Sequence, residues 1–158
     1  MRVLQISSEA TPFAKTGGLA DVAGALPDAL ERAGCDCTLV VPAYREVFEK
    51  NLPIQKTDMQ FSVPVGQRNL EATIYSCSLP DQKHNVFLIG NTHCFDRDTL
   101  YGGAEDYADN AERFIFFSRA ALEVAARQPH AFDIIHCHDW QTSLVPAYQK
   151  LLYQSCAT

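Results

Sequence analysis

The sequence lacks any apolar run long enough to cross a bilayer. A helical span needs about 20 mostly apolar residues, so no membrane partner is expected. It also lacks a basic cluster. Lysine and arginine are scattered and the formal net charge is −6, whereas a nucleic-acid binder concentrates positive charge on one face. No nucleic acid is expected as a partner. There is no Cys-x-x-Cys pair among the six cysteines, Cys35, Cys37, Cys77, Cys94, Cys137 and Cys156. Several of them sit inside apolar runs, where cysteine behaves as a small hydrophobe. Structural zinc and a disulfide framework are therefore not expected, and reduced thiols in a cytoplasmic protein are. No repeat or low-complexity tract occurs. The opening MRVLQISSE runs directly into a strand pattern, with no expected secretory leader.

What is present reads as one α/β domain. The chain has 158 residues, 47% hydrophobic and 20% charged, enough for a substantial core. Continuous apolar runs at 3–6, 38–41, 86–89 and 134–137 predict strands covered on both faces, as in a parallel sheet. A helix is expected over 19–33, stopped by Gly34. Residues 59–77 alternate apolar and polar on either side of Gly66-Gln67, a hairpin signature. It reads as an insertion beside the parallel sheet. Apolar residues at three- and four-residue spacing, from Ala111 to Ala125, predict a helix over 107–127. A last helix is expected near Thr142 or Ser143, both good caps. The C-terminal QSCAT completes no further element.

Three segments carry candidate chemistry. The first is the loop 7–18, nearly twice the usual strand-to-helix length of about 2–6 residues. Extra loop at the carboxyl end of a parallel strand is where α/β proteins hold ligands. Lys15 precedes Thr16, Gly17 and Gly18, which lead straight into the helix. Glycine lets backbone amides approach a ligand closely, and a helix N-terminus favours an anion. A phosphate or diphosphate suits this turn, although it is neither a P-loop nor G-x-G-x-x-G. The alternative is a plain turn with a solvated lysine. The second segment is His136-Cys137-His138-Asp139-Trp140-Gln141, after the last strand. His138 and Asp139 suit sugar hydroxyls. Zinc on His136 and His138 lacks an evident third ligand, and a capping aspartate beside a packed Trp140 is the plainer alternative. The third is TLYGGAEDYADNAER from Thr99 to Arg113. Tyr101, Asp109 and Asn110 combine ring, carboxylate and amide, the chemistry of sugar recognition. A solvated helix start is the alternative.

These three segments, in this order, resemble the glycogen/starch synthase family. The resemblance is strongest in K-T-G-G-L-A-D-V at 15–22, continuing through Ala23-Gly24-Ala25-Leu26-Pro27. Y-x-D-N-x-x-R-F at 107–114 and H-x-H-D-W at 136–140 follow at suitable distances. The set covers most of the chain.

The resemblance implies a transferase that moves glucose from ADP-glucose (or UDP-glucose) to the non-reducing end of an α-1,4-glucan. The anomeric configuration is retained, and neither metal nor cofactor is needed. It implies the two-lobed GT-B arrangement of Rossmann-like domains, with this chain as the N-terminal half and the C-terminal nucleotide-binding domain absent. Lys15, Gly17 and Gly18 then belong beside the donor diphosphate. Asp21 and Asp139 match carboxylates close to the transferred glucose and are the expected catalytic residues. Glu9, Tyr101, Asp109, Asn110 and His138 are expected at the sugar or acceptor. One departure stands out, because Gln141 occupies a position commonly held by histidine. A fragment with one wall of the cleft is expected to be inactive alone. The competing expectation is a non-catalytic glucan-binding module in which Lys15 is dispensable. A dehydrogenase-like nucleotide domain is disfavoured by the missing G-x-G-x-x-G.

Overall fold

A computed structural model describes residues 1–80 and 82–153. Cys156 and the QSCAT segment lie outside the described residues. Six strands form one sheet in the order β3-β4-β5-β2-β1-β6. Strands β1 (Arg2–Ile6), β2 (Asp36–Pro42), β5 (Asn85–Gly90) and β6 (Ile134–Cys137) are mutually parallel. They coincide with the four apolar runs. Val3, Leu4, Ile6, Leu39, Val40, Val41, Leu88 and Ile89 are all buried, as a sheet covered on both faces requires; β6, at the sheet edge, departs from that expectation, with Ile134 exposed.

Helix α1 (Gly18–Arg32) crosses between β1 and β2. It buries Ala20, Ala23, Gly24 and Pro27, a stripe at helical spacing. Pro27 sits inside this helix and has no N–H for the carbonyl of Ala23. The buried Gln5 of β1 donates to that carbonyl instead, Nε2 to O at 2.7 Å. One polar residue in a strand thus compensates for one imino acid in the helix.

The hairpin is larger than its alternation suggests. Strand β3 runs Ile54–Val65 and β4 runs Arg68–Cys77, joined by the two residues Gly66-Gln67. Gly66 takes a φ of 59°, which only glycine adopts freely. The hairpin is continuous with the parallel sheet, since β4 pairs antiparallel with β5. Its register shifts between Lys56 and Gln60, which breaks the alternation before Met59 and hides five residues of strand from a period-two reading.

Two short helices were not expected: α2 (Arg45–Glu49) after β2 and α3 (Thr92–Phe95) after β5. The long helix α4 spans Asn110–Ala126. It buries more than the predicted stripe, adding Phe116, Phe117, Ala120 and Val124, while Ala111 is exposed. The last helix starts later than expected. A single 3₁₀ turn, Trp140–Thr142, precedes α5 (Val145–Leu152), whose N-cap is Leu144. Thr142 caps nothing there, because its hydroxyl donates back to the His138 carbonyl at 2.8 Å.

The cysteines behave as packing. Among the described residues, Cys35, Cys37, Cys77, Cys94 and Cys137 are free thiols. Burial pushes Cys37 up to about 12 and Cys94 and Cys137 up to about 11, so these stay protonated and unreactive at neutral pH. Among the described residues, no helix is long and apolar enough to cross a membrane.

Candidate active site

β1 and β6 are neighbours, with Ile6 opposite Cys137. The chain continues this pairing one residue further, as His138 N–H donates to the Ile6 carbonyl at 3.1 Å. The loop after β1 and the His138-Asp139 segment therefore leave the carboxyl edge of the sheet side by side.

The long loop is built rather than slack. Ala10, Phe13 and Ala14 are buried, and Phe13 and Ala14 both donate to the Ala10 carbonyl. At its centre lies Glu9, only 4% exposed. Its carboxylate accepts from Thr16 N at 2.6 Å, Gly17 N at 3.2 Å and Thr16 Oγ1 at 2.9 Å. A carboxylate here satisfies amides at the start of α1 and complements the helix dipole. The Gly17 amide, expected to face a diphosphate, is turned toward Glu9.

Lys15 reaches over the first turn of α1. Its Nζ stands 2.7 Å from both carboxylate oxygens of Asp21, and each side chain is more than half exposed. Such a pair in solvent is worth little by itself, so an arriving anion can share the ammonium at small cost. A Cβ added to Gly17 or Gly18 would meet no atom within 4 Å. The backbone there faces open space.

Tyr101 joins the third segment to the first. Its hydroxyl lies 2.9 Å from Glu9 Oε1 and 2.8 Å from Ser8 Oγ. Burial pushes the phenol well above its usual range, so it serves as a neutral donor. Its ring packs on Phe114 at 5.8 Å and on Trp140 at 6.4 Å between centroids. Trp140 is 49% exposed and presents the indole toward solvent at this edge. Asp139 takes a φ of 61°, alone among the non-glycine described residues in doing so. Its Oδ1 accepts from Trp140 N at 2.7 Å. A non-glycine residue in this region stores about 1–3 kcal/mol, which is typical of functional positions.

The sequence profile of the family described as starch synthase catalytic domain matches residues 2–158. The chain belongs to the starch synthase catalytic domain family. The glycogen synthase of Thermodesulfovibrio yellowstonii is 40% identical over 172 aligned residues, covering 99% of this chain and 34% of the relative. Glycogen synthase 2 of Geobacter metallireducens is 43% identical over 151 residues, covering 95% and 31%. Among solved structures, the catalytic domain of starch synthase IV from Arabidopsis thaliana bound to ADP and acarbose superposes with a TM-score of 0.84 at 32% identity. It covers 96% of this chain and 30% of that one. The chain thus spans about a third of the length of the curated relatives it matches. The expected Rossmann-like fold of the GT-B type holds.

In this starch synthase-family chain, the glycines of the K-T-G-G-L-A-D-V-A-G run divide by role. Gly17 and Gly18 face space, but Gly24 faces protein. A Cβ at Gly24 would lie 2.3 Å from Thr11 Oγ1 and 2.5 Å from the Thr11 carbonyl oxygen. Thr11 N also donates to the Ala20 carbonyl at 2.9 Å. Gly24 therefore lets the long loop lie directly on α1.

The Y-x-D-N-x-x-R-F segment acts on the loop that carries Tyr101. Asp109 is gripped by both terminal nitrogens of Arg97, one at 2.8 Å, and that guanidinium holds its carboxyl below the usual range. Asn110 is buried. It donates to the Tyr101 carbonyl at 2.7 Å and accepts from Arg113 Nη1 at 2.6 Å. Arg113, fully buried, also donates to the carbonyls of Cys94 at 2.6 Å and Leu100 at 2.9 Å. It stacks near Tyr107, Phe114 and Phe95. Asn110 thus stands behind Tyr101, whereas the Asp109 carboxylate is taken up by Arg97. Arg97 and Arg113 were not singled out as site residues from the sequence. The available signal was an arginine on the apolar face of α4.

His138 and His136 lie together, ring centroids 4.3 Å apart, so they do point to one side. No third ligand joins them, and no cluster of three or more metal-type side chains occurs among the described residues. Among the described residues, His138 Nε2 is buried without a hydrogen-bond partner, as is Oε1 of the buried Gln141. Burial, and next the neighbouring His136, lower the His138 pKa.

Proposed function

We propose that this chain supplies the N-terminal lobe of a glucosyltransferase acting on α-1,4-glucan. The donor is ADP-glucose, or UDP-glucose, and the anomeric configuration is retained. The observation that carries this reading is the Glu9–Tyr101 bond beside Asp139 and Trp140, at the edge where Lys15 and the open glycines begin α1. Three segments that are distant in sequence meet at one place. The starch synthase IV structure, bound to ADP and acarbose, supports a nucleoside diphosphate and a glucan-like ligand.

The division of labour follows from charge. The Lys15 ammonium and the α1 N-terminus meet the diphosphate, whose negative charge grows as the glucosyl–oxygen bond breaks. Donors placed for that developing charge stabilise the transition state more than the ground state. The space beside Gly17 and Gly18 admits phosphate oxygens close to the backbone. Asp139, held in its unusual backbone geometry, and Asp21 are the carboxylates nearest the transferred sugar. Glu9, Tyr101 and Trp140 form the polar floor and aromatic side of the sugar site, with His138 alongside. Asn110 holds that floor from behind through the Tyr101 carbonyl. A C-terminal lobe provides the other wall of the cleft, and the isolated chain is inactive. The protein works in the cytoplasm.

The test is a chimera that joins this chain to the C-terminal two-thirds of the Thermodesulfovibrio yellowstonii relative. Labelled glucose from ADP-glucose should enter glycogen with the chimera and not with the 158-residue chain. Lys15→Ala in the chimera should lower turnover by about 2–4 kcal/mol, the scale of a deleted oxyanion donor. Incorporation by the isolated chain, or a Lys15→Ala chimera at the parental rate, would overturn the proposal.

A further inference from the structure

Helix α2 is only five residues long, yet it is firmly seated. Its N-cap, Tyr44, is 1% exposed, and Val47 is fully buried. The Tyr44 ring stands edge-on to Phe95 of α3, centroids 5.5 Å apart. Just before it, Ala43 N–H donates to the Ile89 carbonyl of β5 at 2.9 Å. Apolar packing and the strand end thus fix the helix to the sheet. The charged residues at its two ends serve other segments.

Those residues are Arg45 and Lys50, and each grips a different loop. Lys50 Nζ donates to the Pro12 carbonyl at 3.1 Å and to the Phe13 carbonyl. Both carbonyls lie in the loop 7–18, just before Lys15. Arg45 Nε donates to Asp96 Oδ1 at 2.5 Å, Nη2 donates to the Asp96 carbonyl at 2.9 Å, and Nη1 pairs with Asp98. Both aspartates lie in the segment that leads from α3 to Tyr101. Bonds from charged donors are about twice as strong as neutral ones, so these two side chains tie α2 to both loops.

The two loops meet at the Glu9–Tyr101 bond, and each has a second hold elsewhere. Thr11 N–H donates to the Ala20 carbonyl of α1, which fastens the first loop. Asn110 and Arg113 of α4 donate to the Tyr101 and Leu100 carbonyls, which fastens the second. The first loop therefore spans α1 and α2, and the second spans α4 and α2. One short, seated element holds both. Such support matters at a reacting centre, where a misplacement of about 1 Å can cost about a hundredfold in rate.

We propose that Arg45 and Lys50 are positioning residues, which act through the two loops to set the separation of Lys15 from Tyr101. Lys50 keeps the Lys15 ammonium within reach of the donor diphosphate. Arg45 keeps the Tyr101 phenol at the sugar. The assignment of these loops to donor and sugar rests on the function proposed above. The donors of both side chains are committed to the loops, so each residue works through another. The two grips also differ in kind: Lys50 is a point charge on two carbonyls, whereas Arg45 uses its planar fork on two aspartates.

The test compares Lys50→Met and Arg45→Met in the chimera with their parent. Lys50→Met should lower kcat/KM for ADP-glucose about tenfold and leave KM for maltoheptaose unchanged. Arg45→Met should raise KM for maltoheptaose about threefold and leave KM for ADP-glucose unchanged. Lys50→Arg should restore most of its loss, because charge and reach survive. Arg45→Lys should restore little, because one ammonium cannot replace the fork. A second measurement needs no activity: backbone amide shifts in the isotopically labelled 158-residue chain. Lys50→Met should move amides at 13–17 most, and Arg45→Met those at 96–101. If a Met variant fails to fold, its conservative partner carries the same comparison. Parental kinetics in both variants, equal losses for both substrates, or the same amides moving in both would each overturn the proposal. The expected amide pattern beside an inactive chimera would remove the transferase reading and leave the two grips in place.

Discussion

The hydroxyl of Tyr101 lies 2.9 Å from Glu9 Oε1, across 92 residues of sequence. Through that bond the loop before α4 is fastened to the loop after β1. The same carboxylate holds the Thr16 and Gly17 amides, so the start of α1, the phenol and the Trp140 stack form one unit.

Removing either end of that bond should therefore affect both catalysis and folding. Tyr101→Phe keeps the ring stack and deletes the hydroxyl's bonds to Ser8 and Glu9, the one to the charged group being worth about 1.5–3 kcal/mol. In the chimera, kcat/KM should fall by at least about tenfold, and the melting temperature should drop by roughly 2–4 °C per kcal/mol lost. Glu9→Gln should cost more, because one amide oxygen must serve donors that two carboxylate oxygens now accept. Initial rates beside thermal melts read both effects, and parental rates in both variants would mean that the bond is only scaffolding.

The glycines offer a sharper contrast. Gly24→Ala forces a methyl against the Thr11 backbone and should destabilise the chain by about 1–3 kcal/mol, the range of core overpacking. Gly18→Ala meets no atom and should leave stability unchanged or raise it by up to about 1 kcal/mol. Yet its methyl enters the space assigned to the diphosphate, so turnover in the chimera should fall. Urea unfolding of both variants, with rates for the second, tests the division. Equal stability losses would refute it.

Much of this was legible because the physics is local. Continuous apolar runs mark strands, and the four parallel strands fell where those runs are, although β6 at the sheet edge is not buried on both faces. The Gly66-Gln67 turn marked the hairpin. What escaped has causes that sequence period cannot carry. The register shift between Lys56 and Gln60 scrambles alternation, and α2 and α3 are too short to show a helical period. The 3₁₀ turn at Trp140 displaced the start of α5 beyond Thr142 and Ser143. The site was legible as three segments but not as a network. Nothing near Pro27 announces that Gln5 replaces its missing N–H, and nothing near Asn110 announces that its amide binds the Tyr101 carbonyl.

Arg113 carries the next expectation. Its guanidinium serves Asn110 Oδ1 and the carbonyls of Cys94 and Leu100. Burial lowers its pKa, but a guanidinium starts so far above neutral pH that it remains charged. Arg113→Met leaves three buried acceptors unserved and should cost at least about 3 kcal/mol. Arg113→Lys keeps the charge without the planar fork and should recover only part of the loss. Denaturant midpoints would show the ranking, and amide shifts at Tyr101 would show whether the loop has loosened. Full recovery by lysine would mean that charge rather than the fork holds the loop.

His138 sets a pH dependence whose sign follows from its surroundings. Desolvation, then the neighbouring His136, lower its pKa below the ordinary 6.5. The unfolded chain therefore takes up a proton that the folded chain resists. The contribution to stability is complete above the unfolded value and is lost as pH falls through it toward the folded pKa. Melting temperature should accordingly decline between about pH 7.5 and pH 5.5. His138→Gln cannot take up that proton and should flatten the decline in this window. His136→Gln should do so in part, by removing the second cause of the shift. Parallel melting curves for the parent and His138→Gln across the window would assign the acid sensitivity to another group. The buried, unpartnered Nε2 would then need a hydrogen-bonding ligand rather than a proton to account for its place beside Asp139.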